Sequence, residues 1–250
     1  MTRTNGLTWL VSRGSHMDAV IPAAGRGTRL GALTDEQPKG LVAIAGKPLL
    51  AYALDSAVEA GVDELIVIIG YKGGQIVERF GDAYRDVPLT YVHQCEQLGL
   101  GHAVLQAKPA VDGTFLLVNG DNVFADGVTP AVEAVHAEGV DGVLGVEEVS
   151  REVAQTTGVI ETKEGNITDI VEKPDNPPSQ MVTTGCYVLP AETFHACALV
   201  QPSADGEYQL SEAVGLLCRA GFDFETVELG ERVNVNELAD LERATALLES

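Results

Sequence analysis

The stretch DAVIPAAGRGTRLGALTDEQPKG, residues 18–40, begins as an apolar run and turns abruptly into a loop rich in glycine and positive charge. If residues 18–23 form a buried strand, the loop leaves from its carboxyl end, the edge at which open α/β sheets bind their ligands. Gly25 and Gly27 allow backbone N–H groups to approach an anion with no Cβ in the way. Arg26, Arg29 and Lys39 add charge that can follow several phosphates at once. The loop therefore reads as a polyphosphate grip. A dinucleotide fingerprint is excluded because Leu30 stands at its third glycine position. A Walker A loop is excluded because Gly46-Lys47 is followed by Pro48, with Leu41 where the first glycine belongs.

Outward from this loop, short β-rich runs alternate with helical patterns. ELIVIIG (64–70), PLTYVH (88–93), TFLLVN (114–119) and GVLGVEE (142–148) are apolar on both faces or nearly so, as strands covered by helices on both sides should be. Helical patterns occupy PLLAYALDSAVEAG (48–61), YKGGQIVERFG (71–81), GHAVLQAK (101–108) and TPAVEAVHAEG (129–139), the last with Thr129 as N-cap and Pro130 at the first helical position. After residue 150 the rhythm changes. TGVIETKEGNITDIVEKP predicts a hairpin with Gly165 and Asn166 at positive φ, and the prolines of EKPDNPPSQ forbid a central strand there. VTTGCYVL predicts a strand, and AETFHACALV and EYQLSEAVGLLCRAG helices. A last strand, FETVEL, leads through GERVNVN to the helix ELADLERATALLES. The fold class is α/β: a Rossmann-like, mostly parallel sheet flanked by helices, with a mixed-strand lobe in its second half.

Composition narrows the partners. The 250 residues hold 37 Asp and Glu against 16 Lys and Arg, a formal charge of −21. Such a surface repels nucleic acid and anionic membrane, and it suits a high-salt cytoplasm in which screening relieves self-repulsion. The opening residues, 1–16, read as an expression leader, which makes Met17 the expected start of a single domain over residues 17–250, with halves at 17–150 and 151–250. Cys95, Cys186, Cys197 and Cys218 form no CxxC pair, so free thiols are expected rather than a zinc site or disulfides. No apolar run is long enough to span a bilayer, and a cytoplasmic location follows.

AAGRGTRL…PKG resembles the signature of the sugar-1-phosphate nucleotidylyltransferases. QCEQLGLGHAV is similar to that family's base-binding turn, NGDNVF to its metal motif, VEKP to its sugar-binding motif and TTGCYV to its Thr-Gly strand. The resemblance runs from residue 18 nearly to the C-terminus. YRDVPLTYVHQCEQLGLGHA and TFHACALVQPSADGEYQLSEA look most like haloarchaeal glucose-1-phosphate uridylyl- and thymidylyltransferases.

The resemblance implies transfer of a nucleotidyl group from UTP or dTTP to a sugar 1-phosphate, glucose 1-phosphate foremost, with Mg²⁺ as cofactor and pyrophosphate released. It implies catalytic roles for Arg26, Lys39, Asp121 and Lys173. The nucleotide would rest on Ala23, Ala24, Gly25, Gly27, Thr28 and Gly120, with Gln94 and Gly99 reading the edge of the base. Gly158, Glu172, Thr184 and Gly185 would hold the sugar. Asp121 and Asn234 would bind the metal, with Asn236 the alternative in register. GERVNVNELADLE departs from the W-x-D-x-G of glucose-type members, with Arg232 aligned at Trp and Asn234 at Asp. Asparagine there resembles the N-acetylglucosamine-1-phosphate uridylyltransferases, which keeps that sugar open. A non-catalytic subunit that binds nucleotide sugars, and a cytidylyltransferase acting on a polyol phosphate, are the remaining alternatives. Family members are often oligomers, so a homo-oligomer of unspecified size is expected. His93, His102, His136 and His195 read as packing or surface residues.

Overall fold

The computed structural model describes residues 16–249. The leader expected at 1–16 lies outside them but for His16. β1 (Asp18–Pro22) is followed by 3-10 turns at Thr28–Thr34 and Lys39–Leu41 and by a small hairpin, β2 (Ala43–Ile44) and β3 (Lys47–Pro48). The chain then forms α1 (Leu49–Glu59), β4 (Glu64–Ile69), α2 (Gly73–Phe80), β5 (Ala83–Tyr84), β6 (Val87–His93), α3 (Leu100–Ala107), β7 (Phe115–Val118), β8 (Asn122–Phe124) and α4 (Thr129–Ala134). The second half contributes β9 (Gly142–Glu148), α5 (Arg151–Ala154), β10 (Gly158–Lys163), β11 (Asn166–Glu172), β12 (Met181–Leu189), α6 (Thr193–Leu199), α7 (Leu210–Arg219), β13 (Phe224–Glu228), β14 (Arg232–Asn234) and α8 (Leu238–Glu249).

One ten-stranded sheet joins both halves. Its main path runs β11-β10-β12-β7-β1-β4-β6-β5, with β9 and β13 branching from β12. β1 lies between β7 and β4, parallel to both, and β4 is parallel to β6. The hairpin β10–β11 and the strand β12 run antiparallel to their neighbours. Alternate residues of the parallel strands face opposite cores. Ala19 and Ile21 of β1 and Leu65 and Val67 of β4 pack with Leu50, Ala53, Leu54 and Ala57 of α1 and Ile76 of α2. Val20, Ile66 and Ile68 pack on the other face with Val104 of α3, Phe194 of α6 and Val214 of α7. Burying a side chain of this size stabilises by about 1.5–3 kcal/mol, and both faces must be covered to collect it. The unbroken apolar runs of the sequence thus become the buried parallel strands, and every such strand opens its carboxyl end on the same edge.

Two local expectations are corrected. Helix α4 starts at Thr129 itself, with Val128 at the N-cap and Pro130 the second helical residue. Val128 is fully buried in the core, and this apolar anchor sets the start one residue earlier than the threonine would. In the β10–β11 hairpin the positive φ angles belong to Glu164 (54°) and Gly165 (89°), and Asn166 already pairs with Lys163. A two-residue loop needs both of its own central residues left-handed, and the ladder closes immediately beyond them. The segment 173–180, by contrast, forms no strand, as its prolines require.

Cys95 is exposed, whereas Cys186, Cys197 and Cys218 are buried, and burial pushes the Cys197 thiol up to about 12 and that of Cys218 up to about 11. Cys186, wholly enclosed, is raised further still. A disulfide-exchange dye added to the native protein should therefore react rapidly with one thiol, and with the other three only at the rate of unfolding. A rapid count above one would contradict this burial. No helix among the described residues is long and apolar enough to cross a membrane.

Candidate active site

The carboxyl edge of the sheet is stitched by backbone hydrogen bonds that continue past the strands. Ala23 N donates to Ile68 O at 2.8 Å, Gln94 N to Ile69 O at 2.8 Å and Gly120 N to Pro22 O at 3.1 Å. The opening loop, the end of β6 and the end of β7 are thereby held at fixed spacing. Three contiguous pockets lie along this edge. The central one, about 350 Å³, is lined by Ala23, Gly25, Gly27, Thr28, Arg29, Lys39, Gly120, Asp121 and Asn236. It meets a 320 Å³ pocket containing Ala24, Gln94, Gln97 and Gly99 across Pro22 and Gly25. It meets a 160 Å³ pocket containing Gly158, Glu172, Thr184, Gly185, Ser211, Arg232 and Asn234 across Asn119. Leu100 borders all three.

In the central pocket Lys39 is the organising charge. Its Nζ donates to Asp121 Oδ2 at 2.7 Å and to Asn236 Oδ1 at 3.1 Å. The side chain reaches this position by crossing Gly27, where a Cβ would stand 2.8 Å from Lys39 Cβ. Gly27 is also left-handed, with φ 65°, so the residue serves both the turn and the passage. Thr34 Oγ1 donates to the carbonyls of Gly27 and Gly31 and closes the loop on itself. Arg29 Nη2 donates to Asn236 Oδ1 at 3.0 Å, which places a second cation beside the first. Arg26 is exposed, its guanidinium 4.9 Å from the centre of the Tyr71 ring.

Asp121 follows β7, and Asn236 follows β14; the antiparallel pairing of β14 with β8 brings the two together. Val235 N donates to Asp121 O at 2.9 Å and fixes the register. It is Asn236, not Asn234, that stands beside Asp121; the side chain of Asn234 borders the Glu172 pocket instead. Residues two apart on one strand would share a face, but β14 ends at Asn234, so Asn236 lies beyond the ladder and is free of that alternation. One carboxylate oxygen and one amide oxygen thus converge on a single cationic point, Lys39 Nζ. That donor set fits Mg²⁺, which takes few protein oxygens and completes its shell with water and phosphate. No group of three or more His, Cys, Asp or Glu side chains among the described residues offers a metal site.

In the third pocket Glu172 Oε2 accepts from Ser211 Oγ at 2.7 Å. Lys173, at φ 44°, lies beside this pocket and not among its lining residues, its N–H donating to Thr157 O and its Nζ lying 3.9 Å from Glu172 Oε1. Arg232 is nearly buried, paired with Glu147 and donating to Asn122 Oδ1 at 3.2 Å. Three buried atoms lining this pocket have no protein partner: Asn119 Oδ1, Thr184 Oγ1 and Arg232 Nε. Buried polar atoms are rarely left so, and a hydroxyl-rich ligand would satisfy donor and acceptors together.

In the second pocket Gln94 is 4% exposed. Its Nε2 donates to Gly99 O at 3.2 Å and faces His102 Nδ1 at 3.0 Å. The nitrogen of the Gln94 amide is thus turned toward Gly99 and His102, and its oxygen has no hydrogen-bond donor among the described side chains. Gln97, from the same turn, donates to Ala24 O at 2.8 Å. Asn119, Gln97 and Ser211 were not singled out in the sequence. Asn119 shares the strand end with Asp121 and could have been found there, whereas Ser211 sits within an ordinary helical pattern that gives no signal.

The sequence profile of the nucleotidyl transferase family matches residues 18–230. The UTP–glucose-1-phosphate uridylyltransferase AglF of Haloferax volcanii is 42% identical over 235 residues, covering 93% of this chain and 97% of the relative. The low-salt glycan biosynthesis nucleotidyltransferase Agl11 of the same organism is 35% identical, with 84% of this chain and 59% of the relative covered. The bifunctional protein GlmU of Methanococcus maripaludis is 34% identical over 82% of this chain, which spans 48% of that relative's length. Among solved structures, a UDP-glucose pyrophosphorylase complexed with UDP-glucose has the same fold, with a TM-score of 0.83 at 24% identity over 92% of this chain and 97% of the other. A loop of glycines and cations at the carboxyl edge of the parallel strands, the matching profile and these relatives agree: this chain belongs to the nucleotidyl transferase family.

Proposed function

We propose that this enzyme joins UTP and glucose 1-phosphate into UDP-glucose and pyrophosphate in the cytoplasm, where nucleoside triphosphates are made. The observation that carries the reading is Lys39 Nζ, held in the central pocket by Asp121 and Asn236. A phosphate oxygen of the sugar attacks the α-phosphorus, and the bond from that phosphorus to the oxygen bridging to the β-phosphorus breaks. No protein nucleophile is needed; the barrier lies in assembling several negative charges in line. Lys39 would lie between the two reacting phosphates and offset their repulsion. The loop N–H groups at Gly25 and Gly27, with Arg26 and Arg29, take the departing pyrophosphate. Mg²⁺ held by Asp121 and Asn236 would supply further neutralising charge at the phosphates.

Gln94 and Gly99 face the base, Glu172, Thr184, Gly185 and Gly158 the sugar, and Lys173 the sugar phosphate. Asn234 offers its amide to the sugar. N-acetylglucosamine 1-phosphate is the competing acceptor, favoured by the amide in place of a carboxylate beside Asp121. The deciding assay crosses UTP and dTTP with both sugar phosphates in molar KCl with Mg²⁺ and follows pyrophosphate release. UTP with glucose 1-phosphate should give the highest kcat/KM, and turnover should collapse in Asp121→Ala. Binding of nucleotide sugar without turnover by any pair would instead identify a non-catalytic subunit.

A further inference from the structure

Gln94 shows the base pocket only one chemical face, and the cause lies behind it. Its Nε2 faces Gly99 O and His102 Nδ1, Gln94 lines the pocket, and no described side chain donates to its Oε1. Gly99 cannot exchange roles, because a carbonyl only accepts. The Gly99 turn is itself rigid: its φ is 96°, and a Cβ there would stand 2.8 Å from Tyr208 O. His102 could do either, since a neutral imidazole donates from one nitrogen and accepts at the other. To accept from Gln94 it must carry its proton on Nε2, 3.3 Å from the Gln106 amide nitrogen, which is itself a donor to His102 O at 3.1 Å; the half-buried Gln106 side chain then turns from the ring, while Gln94, buried and held by Gly99 O, stays. The Tyr208 ring lies 6.3 Å from the imidazole, centre to centre, on another side.

We infer that His102 is a positioning residue for base selection: through its Nε2–H tautomer it locks the Gln94 amide with the oxygen toward the nucleotide, so the pocket takes a pyrimidine that carries a ring N–H at N3. Uracil and thymine carry that hydrogen. Cytosine, seated in the same register, presents a lone pair against the Gln94 oxygen and is repelled. If the amide turned over, its oxygen would face the Gly99 carbonyl, and its N–H groups would lose both partners. Selectivity against cytosine therefore resides in a residue that need not touch the base. The inference rests on the uridylyl-transfer reading and deepens it.

The test compares kcat/KM for UTP and CTP, with glucose 1-phosphate saturating, in the unaltered enzyme, His102→Leu and His102→Asn. Leucine fills the space without an acceptor, whereas the asparagine oxygen falls near the position of Nδ1. The UTP-to-CTP ratio should drop about tenfold or more in His102→Leu, the share of one misdirected hydrogen bond. The loss should appear in KM for UTP, with kcat and KM for glucose 1-phosphate held, and His102→Asn should recover most of it. An unchanged ratio in a folded His102→Leu enzyme overturns the inference. Nitrogen-15 NMR of the imidazole in the unaltered protein gives a second reading that needs neither variant nor turnover. The Nε2–H tautomer supports the inference, and a proton on Nδ1 overturns it. Absence of turnover with every pyrimidine nucleotide would sink the uridylyl-transfer reading alone, leaving the tautomer to decide this one.

Discussion

Replacing Lys39 by alanine should lower kcat by a factor on the order of 10² to 10³, the range typical of removing one preorganised charge from a site where charge builds up. The lysine is only 13% exposed at its side chain, so water cannot stand in for the ammonium at the same place. Arginine should rescue poorly. Its stem could cross the bare Gly27 as the lysine does, but the planar fork cannot set a single nitrogen between Asp121 and Asn236. Stability should fall far less than activity, by about 1 kcal/mol, because Asp121 is 30% exposed and regains water when its partner goes. Steady-state pyrophosphate release beside urea unfolding separates the two effects. A Lys39→Ala enzyme with nearly unaltered kcat would remove this residue from the reaction.

Gly185→Ala should be the most damaging single methyl in the protein's interior near the site. Its φ is 78°, and the added Cβ would stand 2.5 Å from Asn122 Nδ2 and 2.6 Å from Asn119 Nδ2. Neither amide can retreat freely. The Asn122 side chain donates to Thr184 O at 2.7 Å and accepts from Arg232, and Asn119 is anchored beside the methyl by its backbone N–H, which donates to Gly185 O at 2.8 Å. Backbone strain and overpacking each cost about 1–3 kcal/mol, so a loss on the order of 3 kcal/mol is expected in the urea midpoint. Because β12 bulges at this point against β9, the strain would also shift Thr184 and raise KM for the sugar phosphate. A variant of normal stability and normal KM would show that the strand can relax around the methyl.

The parallel strands were legible because both of their faces are apolar, and the helices because their apolar residues recur on one side, as at Leu50, Ala53, Leu54 and Ala57. The loop of residues 25–40 was legible as a pocket wall because its glycines and cations fall together, and Gly25, Gly27, Arg29 and Lys39 do line one pocket. What escaped reading is short or delocalised. β8 and β14 have three residues each, too few for a period, and they exist because they pair with one another across the chain. The choice between Asn234 and Asn236 turned on that pairing, which no local pattern encodes. The role of Gln94 depended on which of its atoms a distant carbonyl and an imidazole would claim. Arg232 gave only the signal of an unusual residue, while its burial against Glu147 and Asn122 belongs to the tertiary structure.

The β8–β14 ribbon also sets an order of events during synthesis. Arg232 and Asn122 meet although 110 positions separate them, and Asp121 receives its amide neighbour only when the segment beyond β14 arrives. A growing chain can therefore pair β1 with β4 and β7 and shape the loop long before Asn236 has left the ribosome. Such a chain would already have the means to grasp a triphosphate, yet it would lack the oxygen that completes the pair around Lys39. On the proposed reading, the grip on the triphosphate would form before the site is complete, and Asn236 would complete it.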